Sequence, residues 1–311
     1  TLLAVPLFHV TGCCSNMLPI MFAGGKLVLM HRWDAETAMK IIEAEKINQT
    51  GGVPTIAWQL IEHPARERYD LSTLDMITYG GAPSAPELVR RIKEVFPKAN
   101  PGNAWGMTET TATFCGHVGE DYINRPSSCG APPPIGEARI LDEENKPLPL
   151  GAVGELWVKG PQVVQGYWNR PEANAQNFVD GWLKTGDLAK VDEEGFITIV
   201  DRSKDMIIRG GENIYPRELE ELLFRHPKVG EVAVIGVPHE RWGEEVAAFI
   251  RPAPGATIEK EELVDYMRTS LAPHKTPKHW FVVDAFPLTG SGKIQKFKLR
   301  ESWTKGEMTA V

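Results

Sequence analysis

At 311 residues the chain is too long for one ordinary core and predicts two or three domains. Its 42 % apolar and 24 % charged residues are the proportions of a globular protein. A net charge of −7 argues against a nucleic-acid partner, which calls for a basic surface, but does not exclude a local basic cleft. The longest apolar stretch, around Met17 to Phe22, is interrupted by Pro19 and ends at Gly24-Gly25, so no integral membrane segment is expected. Thr1 opens the sequence without a charged leader region, and no signal peptide is expected. Cys13, Cys14, Cys115 and Cys129 form no CxxC pair and have no histidine cluster beside them. Adjacent Cys13 and Cys14 are expected to pack as small apolar residues, and a reducing, cytoplasmic compartment fits the set.

Residues 1–130 alternate strand and helix patterns. Lys26 to Met30 is an apolar run suited to a buried strand, and Asp34 is placed to cap a helix through Ala38, Ile41 and Ile42. Ser84 with Glu87 three residues on has the form of a capping box before Leu88, Ile92, Val95 and Phe96. Such alternation predicts a parallel, doubly wound layer structure. Residues 131–200 change character. Proline and glycine punctuate short alternating segments, Gly154 to Lys159 and Gly195 to Val200 among them, which predict a small antiparallel sheet or barrel. The charged run 201–205 reads as a linker. Beyond it, residues 206–311 predict a compact α+β domain. Its elements are a helix after Pro216 with Leu219, Leu222 and Leu223 on one face, strands Glu231 to Val237 and Glu245 to Ile250, a helix from about Ile258 to Leu271 and a strand near Trp280 to Val283.

Several loops carry residues suited to nucleotide chemistry. Tyr79-Gly-Gly-Ala-Pro83 lies at a strand-to-helix turn, where ligands bind in open α/β sheets, and it is equally a plain tight turn. In Trp105-Gly-Met-Thr-Glu-Thr110 a hydroxyl beside a carboxylate can bind a phosphate oxygen and a hard Mg²⁺, or Thr108 can simply cap a helix. Thr185-Gly-Asp-Leu188 offers a carboxylate to two ribose hydroxyls or forms an Asx turn. Asp201-Arg202 adds a charge pair whose plain reading is a solvated surface pair. Leu288-Thr-Gly-Ser-Gly-Lys-Ile294 is not a Walker A loop, because Pro287 and Ile294 stand where Gly and Ser/Thr are required. What it offers is Lys293 on a glycine-rich loop, either solvated or brought to developing negative charge by domain closure.

Taken in order, these segments make the whole chain resemble the adenylate-forming superfamily of acyl-CoA synthetases, luciferases and peptide-synthetase adenylation domains. Pro6-Leu-Phe-His9, Tyr79 to Pro83, Trp105 to Glu109, Thr185 to Leu188, Asp201 to Asn213 and the Lys293 loop carry the resemblance. It implies an α/β fold class: the remainder of a doubly wound N-terminal domain with a small β-barrel-like subdomain, then a smaller α+β C-terminal lid. In residues, 1–130 and 131–200 belong to the large domain, 201–205 is the hinge and 206–311 the mobile domain. The implied activity is an acid–CoA ligase that turns ATP, a carboxylic acid and CoA into acyl-CoA, AMP and diphosphate through an acyl-AMP.

The resemblance also implies roles by residue. Gly80, Gly81 and Ala82, with Trp105 and Gly106, line the adenine and acyl pocket. Thr108 contacts the α-phosphate and Glu109 holds Mg²⁺. Asp187 and Arg202 bind the ribose, and Lys293 spans acid and phosphate oxygens. His9 sits beside the substrate carboxylate, or is a core histidine. Lys204 is the hinge, and rotation there exchanges the Lys293 face for the Gly210-Gly211 face, past which pantetheine runs. The family's phosphate loop precedes the segment matching Pro6 to His9 and is absent, so the chain by itself is expected to be inactive. Other readings are a carrier-protein or luciferase-like acceptor, or an AMP-binding module without catalysis. The particular acid is not legible in these residues. A C₂ homodimer, the commonest soluble assembly, is compatible with the sequence.

Overall fold

The computed structural model describes residues 1–81, 84, 86–289 and 293–307. The chain divides into two compact units, Thr1–Thr185 with Ala189–Ile199, and Gly186–Leu188 with Val200–Val311.

In the first unit, strands β1 (Leu2–Leu3), β2 (Val28–Leu29), β3 (Gln49–Gly52), β4 (Met76–Gly80), β5 (Asn100–Trp105) and β6 (Cys115–Val118) form one sheet, ordered β2-β1-β3-β4-β5-β6. All neighbours run parallel except β6, which folds back antiparallel on β5. Helices Ala35–Glu45, Pro54–Glu62 and Pro86–Val95 fill the crossovers, as parallel strands require. Their apolar residues Ala38, Met39, Ile42, Leu60, Ile61, Leu88 and Ile92 are buried against Leu2, Ile77 and Tyr79.

Asp34 caps the first of these helices, its carboxylate accepting from Thr37 N at 2.8 Å. Two local expectations fail. The run Lys26 to Met30 is not a buried strand: β2 is the sheet edge, and Leu29 is 54 % exposed. The capping box at Ser84 does not form, because the helix begins at Pro86, and Glu87 instead pairs with Arg90 at the next turn. Proline is favoured at that first position because its missing N–H would be unpaired there anyway.

A second sheet takes β7 (Glu137–Leu141), β8 (Gly154–Lys159), β9 (Phe178–Val179), β10 (Trp182–Val191) and β11 (Ile197–Arg202), ordered β11-β10-β8-β7 with β9 beside β10. β7 and β8 pair antiparallel, as do β9 and β10. Its core of Ile140, Leu156, Val158, Leu183 and Ile197 also takes in Phe114, Cys115 and Cys129.

The second unit is built on β12 (Ile207–Arg209), β13 (Glu212–Ile214), β14 (Val229–His239), β15 (Gly243–Pro252) and β16 (His279–Val282), ordered β13-β12-β15-β14 with β16 parallel to β15. Successive side chains of a strand face opposite sides. Accordingly Val246, Ala248 and Ile250 pack with helices Pro216–Phe224 and Lys260–Arg268 through Leu219, Leu223, Leu263 and Met267. Ala247 and Phe249 pack with Phe281, Phe286 and Leu299 of the last helix, Lys296–Thr304. Both faces of this sheet are therefore covered. Among the described residues, no helix is long and apolar enough to cross a membrane.

Candidate active site

The first cluster lies in the first unit, where β5 ends. Trp105 closes the β5–β6 pairing opposite Cys115, and the chain then turns through Thr108–Thr110 in one short 3₁₀ turn. The turn is held by Thr110, which is buried. Its hydroxyl takes Met107 N at 2.9 Å, so Met107 is the cap and the alternative that Thr108 caps a helix does not hold. Thr108 is left exposed at the surface. Gly106 is required by packing rather than by torsion: a Cβ there would lie 1.6 Å from the Ala112 carbonyl oxygen.

Glu109 is the residue most tightly specified. Its carbonyl accepts from Val164 N at 2.8 Å, and its carboxylate oxygen Oε1 accepts from the Tyr167 hydroxyl at 2.7 Å. Thr111 donates to the Gln162 carbonyl at 2.8 Å, so the segment from Gln162 to Tyr167 is stitched along the loop. Burial, and then the Glu109 carboxylate, push the Tyr167 phenol up to about 12, so it stays a proton donor at neutral pH. Tyr167 escaped the sequence reading, because nothing in Gln165-Gly-Tyr-Trp168 marks it out beyond one glycine.

Gly80 adjoins this loop through sheet pairing, standing opposite Ala104 one residue before Trp105, and Gly81 follows it just beyond the strand. Ala82 lies outside the described residues. His9 precedes the short helix Val10–Gly12 and caps it, Nδ1 accepting from Thr11 N at 3.2 Å. It is only half-buried, which does not suit a core histidine. The segment it starts reaches the loop through Ser15 Oγ, 2.9 Å from Thr113 Oγ1.

A second cluster lies in the second unit. Arg202 Nε stands 3.5 Å from Asp187 Oδ1, and Asp187 is the more buried partner. Lys293 belongs to the same group. Burial lowers its ammonium pKa below the ordinary lysine range; Arg202 lowers it further and Asp187 opposes both. Two cations and one carboxylate leave one positive charge in excess, which suits an anion. Asp201 is not the solvated surface residue expected: it is buried, and its carboxylate takes Arg202 N at 2.7 Å and Arg217 N at 2.9 Å. Lys204 is exposed in the turn Ser203–Asp205.

Gly210 and Gly211 form the two-residue turn between β12 and β13, with φ of 60° and 87°. Two successive left-handed residues are what a type I′ hairpin demands. Gly210 N donates to the Trp242 carbonyl at 2.9 Å, and the Trp242 ring lies under Arg209 and Arg241.

Among the described residues, no three His, Cys, Asp or Glu side chains gather as a metal cage. One carboxylate on a fixed loop beside a threonine hydroxyl does fit Mg²⁺, which commonly takes one or two protein carboxylates and fills its octahedron with phosphate oxygens and water. Tyr167→Phe removes the donor on Glu109 without removing the ring. If Glu109 holds Mg²⁺, Mg²⁺ binding in the presence of ATP is expected to be about tenfold weaker in this variant, as read by Mn²⁺ competition, with little change in thermal stability.

A profile of AMP-binding enzymes matches residues 1–168, and one of the AMP-binding enzyme C-terminal domain matches residues 218–293. Feruloyl-CoA synthase of an Amycolatopsis species is 40 % identical over 303 residues, which are 96 % of this chain and 60 % of that protein. Among solved structures, the o-succinylbenzoate CoA synthetase of Bacillus subtilis, holding its acyl-adenylate intermediate, superposes with a TM-score of 0.87 at 33 % identity. It covers 96 % of this chain and 60 % of its own. The amide bond synthetase McbA of Marinactinospora thermotolerans gives 0.86 at 34 %, covering 97 % and 61 %. The chain thus spans about 60 % of the length of these relatives.

Proposed function

Because the chain belongs to the AMP-binding enzyme family, we propose that it is the later part of an AMP-forming acid–CoA ligase. The observation that carries this is the second unit's own cluster, where Lys293 is desolvated beside Arg202 and Asp187. A solvated turn lysine would show no such environment. The likeness to CoA synthetases, one of them seen with an acyl-adenylate, supports the same reading.

In this reading Gly80 and Gly81, with Trp105 and Gly106, line the pocket for adenine and the acyl group. Thr108 donates to the α-phosphate, and Glu109, oriented by Tyr167, would hold Mg²⁺. That ion would neutralise phosphate charge when ATP is bound. Asp187 accepts from the ribose hydroxyls and Arg202 fixes Asp187. His9 lies beside the acid's carboxylate. Lys293 donates to the oxygens on which charge grows as the acid attacks the α-phosphate. Rotation at Lys204 then brings the Gly210-Gly211 turn to the thiol, where absent side chains let pantetheine pass close to backbone. Four free cysteines agree with a reducing, cytoplasmic setting.

The 311 residues alone are expected to be inactive in this reading, because they span only about 60 % of the length of their relatives. The test is to incubate the intact enzyme with Mg·ATP, CoA and a panel of carboxylic acids and identify products by mass spectrometry. Acyl-CoA from one acid class, and none from the 311-residue chain, is the expected result. Acyl-AMP that passes only to an amine would favour a second reading, an amide-forming ligase, which the likeness to an amide bond synthetase supports. No adenylate from any acid would overturn both.

A further inference from the structure

We propose that two ion pairs on the last helix, Lys296 with Glu220 and Arg300 with Asp205, position Lys293 for adenylate formation. This rests on the role given above to Lys293.

The loop that carries Lys293 runs directly into helix Lys296–Thr304. Its two arms are already closed on one another. Leu288 bridges Ile294, Thr289 N donates to the Lys293 carbonyl at 2.8 Å, and Lys293 N donates to Thr289 Oγ1 at 3.0 Å. Where the helix sits therefore decides where the loop sits. Apolar packing specifies the helix weakly, since Leu299 is its one buried residue. Trp303 adds an edge contact to Phe281, with ring centroids 5.6 Å apart. One buried side chain in nine leaves rotation about the helix axis loosely fixed.

The polar face supplies what the apolar face lacks. Lys296 and Arg300 are four residues apart and so lie on one side of the helix. Lys296 Nζ is 2.7 Å from Glu220 Oε1, with both side chains less than 20 % exposed. The same Glu220 oxygen accepts from Val234 N at 2.7 Å, so it is anchored to β14. One turn on, Arg300 Nη2 is 2.9 Å from Asp205 Oδ1, and Asp205 is buried at the end of the Ser203–Asp205 turn. That turn follows Arg202 directly. The helix is thus tied at one point to the sheet and at another to the segment bearing Arg202, the cation beside Lys293.

Energetics point to register rather than stability as the use of these pairs. The desolvation of a buried ion pair roughly offsets its Coulomb attraction, so an apolar replacement of similar volume is often neutral. Geometry is what such a pair adds, because only one rotation of the helix lets both cations reach their carboxylates. A displacement of about 1 Å at a reacting group can cost on the order of 10²-fold in rate.

The experiment compares Lys296→Met with Arg300→Met, the double variant, the conservative Lys296→Arg, and Lys293→Ala in the intact enzyme. Two readouts are used: acid-dependent ATP–pyrophosphate exchange, and acylation of Lys293 by acetic anhydride mapped by peptide mass spectrometry against the exposed Lys98. Circular dichroism checks that each variant is folded. The expected result is exchange slowed by about 10²-fold in the double variant, with the KM for ATP and the thiol step from supplied acyl-adenylate unchanged. Lys293 should become more reactive relative to Lys98, and Lys296→Arg should restore both readouts. Wild-type exchange and wild-type Lys293 reactivity in a folded double variant would overturn the positioning role. Should Lys293→Ala itself exchange normally, the assignment of Lys293 fails instead, and acylation alone decides whether the ion pairs hold the loop. If the double variant does not fold, the Lys296→Met and Lys296→Arg pair decides on the same two readouts.

Discussion

Lys293→Ala in the intact enzyme is expected to slow acyl-AMP formation by about 10²–10³-fold, the usual loss when one preorganised donor to developing charge is removed. Thioester formation from supplied acyl-adenylate should change little, because no pentavalent phosphorus forms in that step. Supplying the intermediate and timing CoA capture separates the two half-reactions. Equal loss in both would mean that the lysine serves the fold or general binding instead. The pH profile gives an independent check. A lysine whose pKa is lowered by burial and by Arg202 loses its charge at a lower pH than an ordinary one near 10.4. Adenylation should therefore fall on the alkaline side, at a pH below that value. In Lys293→Arg, whatever its absolute rate, this alkaline limb should be absent because guanidinium stays protonated.

The sequence yielded the architecture where periodicity and order were strong and failed where a single residue had to choose between neighbours. The parallel sheet, the antiparallel second sheet and the α+β second unit follow from strand–helix alternation and from short alternating segments such as Gly154 to Lys159 and Gly195 to Val200. Asp34 was legible as a cap because a short acceptor stood before a clean helical pattern. Ser84 and Glu87 had the same form and misled, because Pro86 competes for the first helical position and Arg90 competes for Glu87. Asp201 misled in another way. A run of four charges in five residues reads as solvent, yet backbone donors from Arg202 and Arg217, fifteen positions apart, make burial of its carboxylate tolerable. Of the site, Thr108, Glu109, Asp187, Arg202 and Lys293 were nominated from motif order, and the structure groups the first two on one loop and the last three in one cluster. Tyr167, Glu220 and Lys296 were not visible, because each acts through a partner 58 or 76 residues away. Nothing local records such a pairing.

Gly106→Ala tests the claim that the Glu109 loop is built on backbone contact. The new Cβ would lie 1.6 Å from the Ala112 oxygen, 2.7 Å from its carbonyl carbon and 2.9 Å from Phe114 N, all main-chain atoms. No side chain can swing aside to relieve this, so the loop must open or the β5–β6 hairpin must part. Overpacking that forces backbone shifts costs about 3 kcal/mol or more at its upper end, which corresponds to a thermal midpoint lower by roughly 6–12 °C for a unit of this size. Gly116→Ala in the same hairpin is the control: its Cβ would meet Asn103 O at 3.2 Å and Ala104 Cβ at 3.3 Å, a crowding that a few tenths of an ångström relieves. Calorimetry should separate the two variants clearly. Where Gly106→Ala remains folded, Glu109 is displaced from Tyr167 and adenylation should fall with it, whereas Gly116→Ala should retain activity. A loop that accepted alanine at 106 without loss of stability would show that its path is not set by the Ala112 carbonyl. The fixed geometry of Glu109 would then have to come from Tyr167 and Val164 alone.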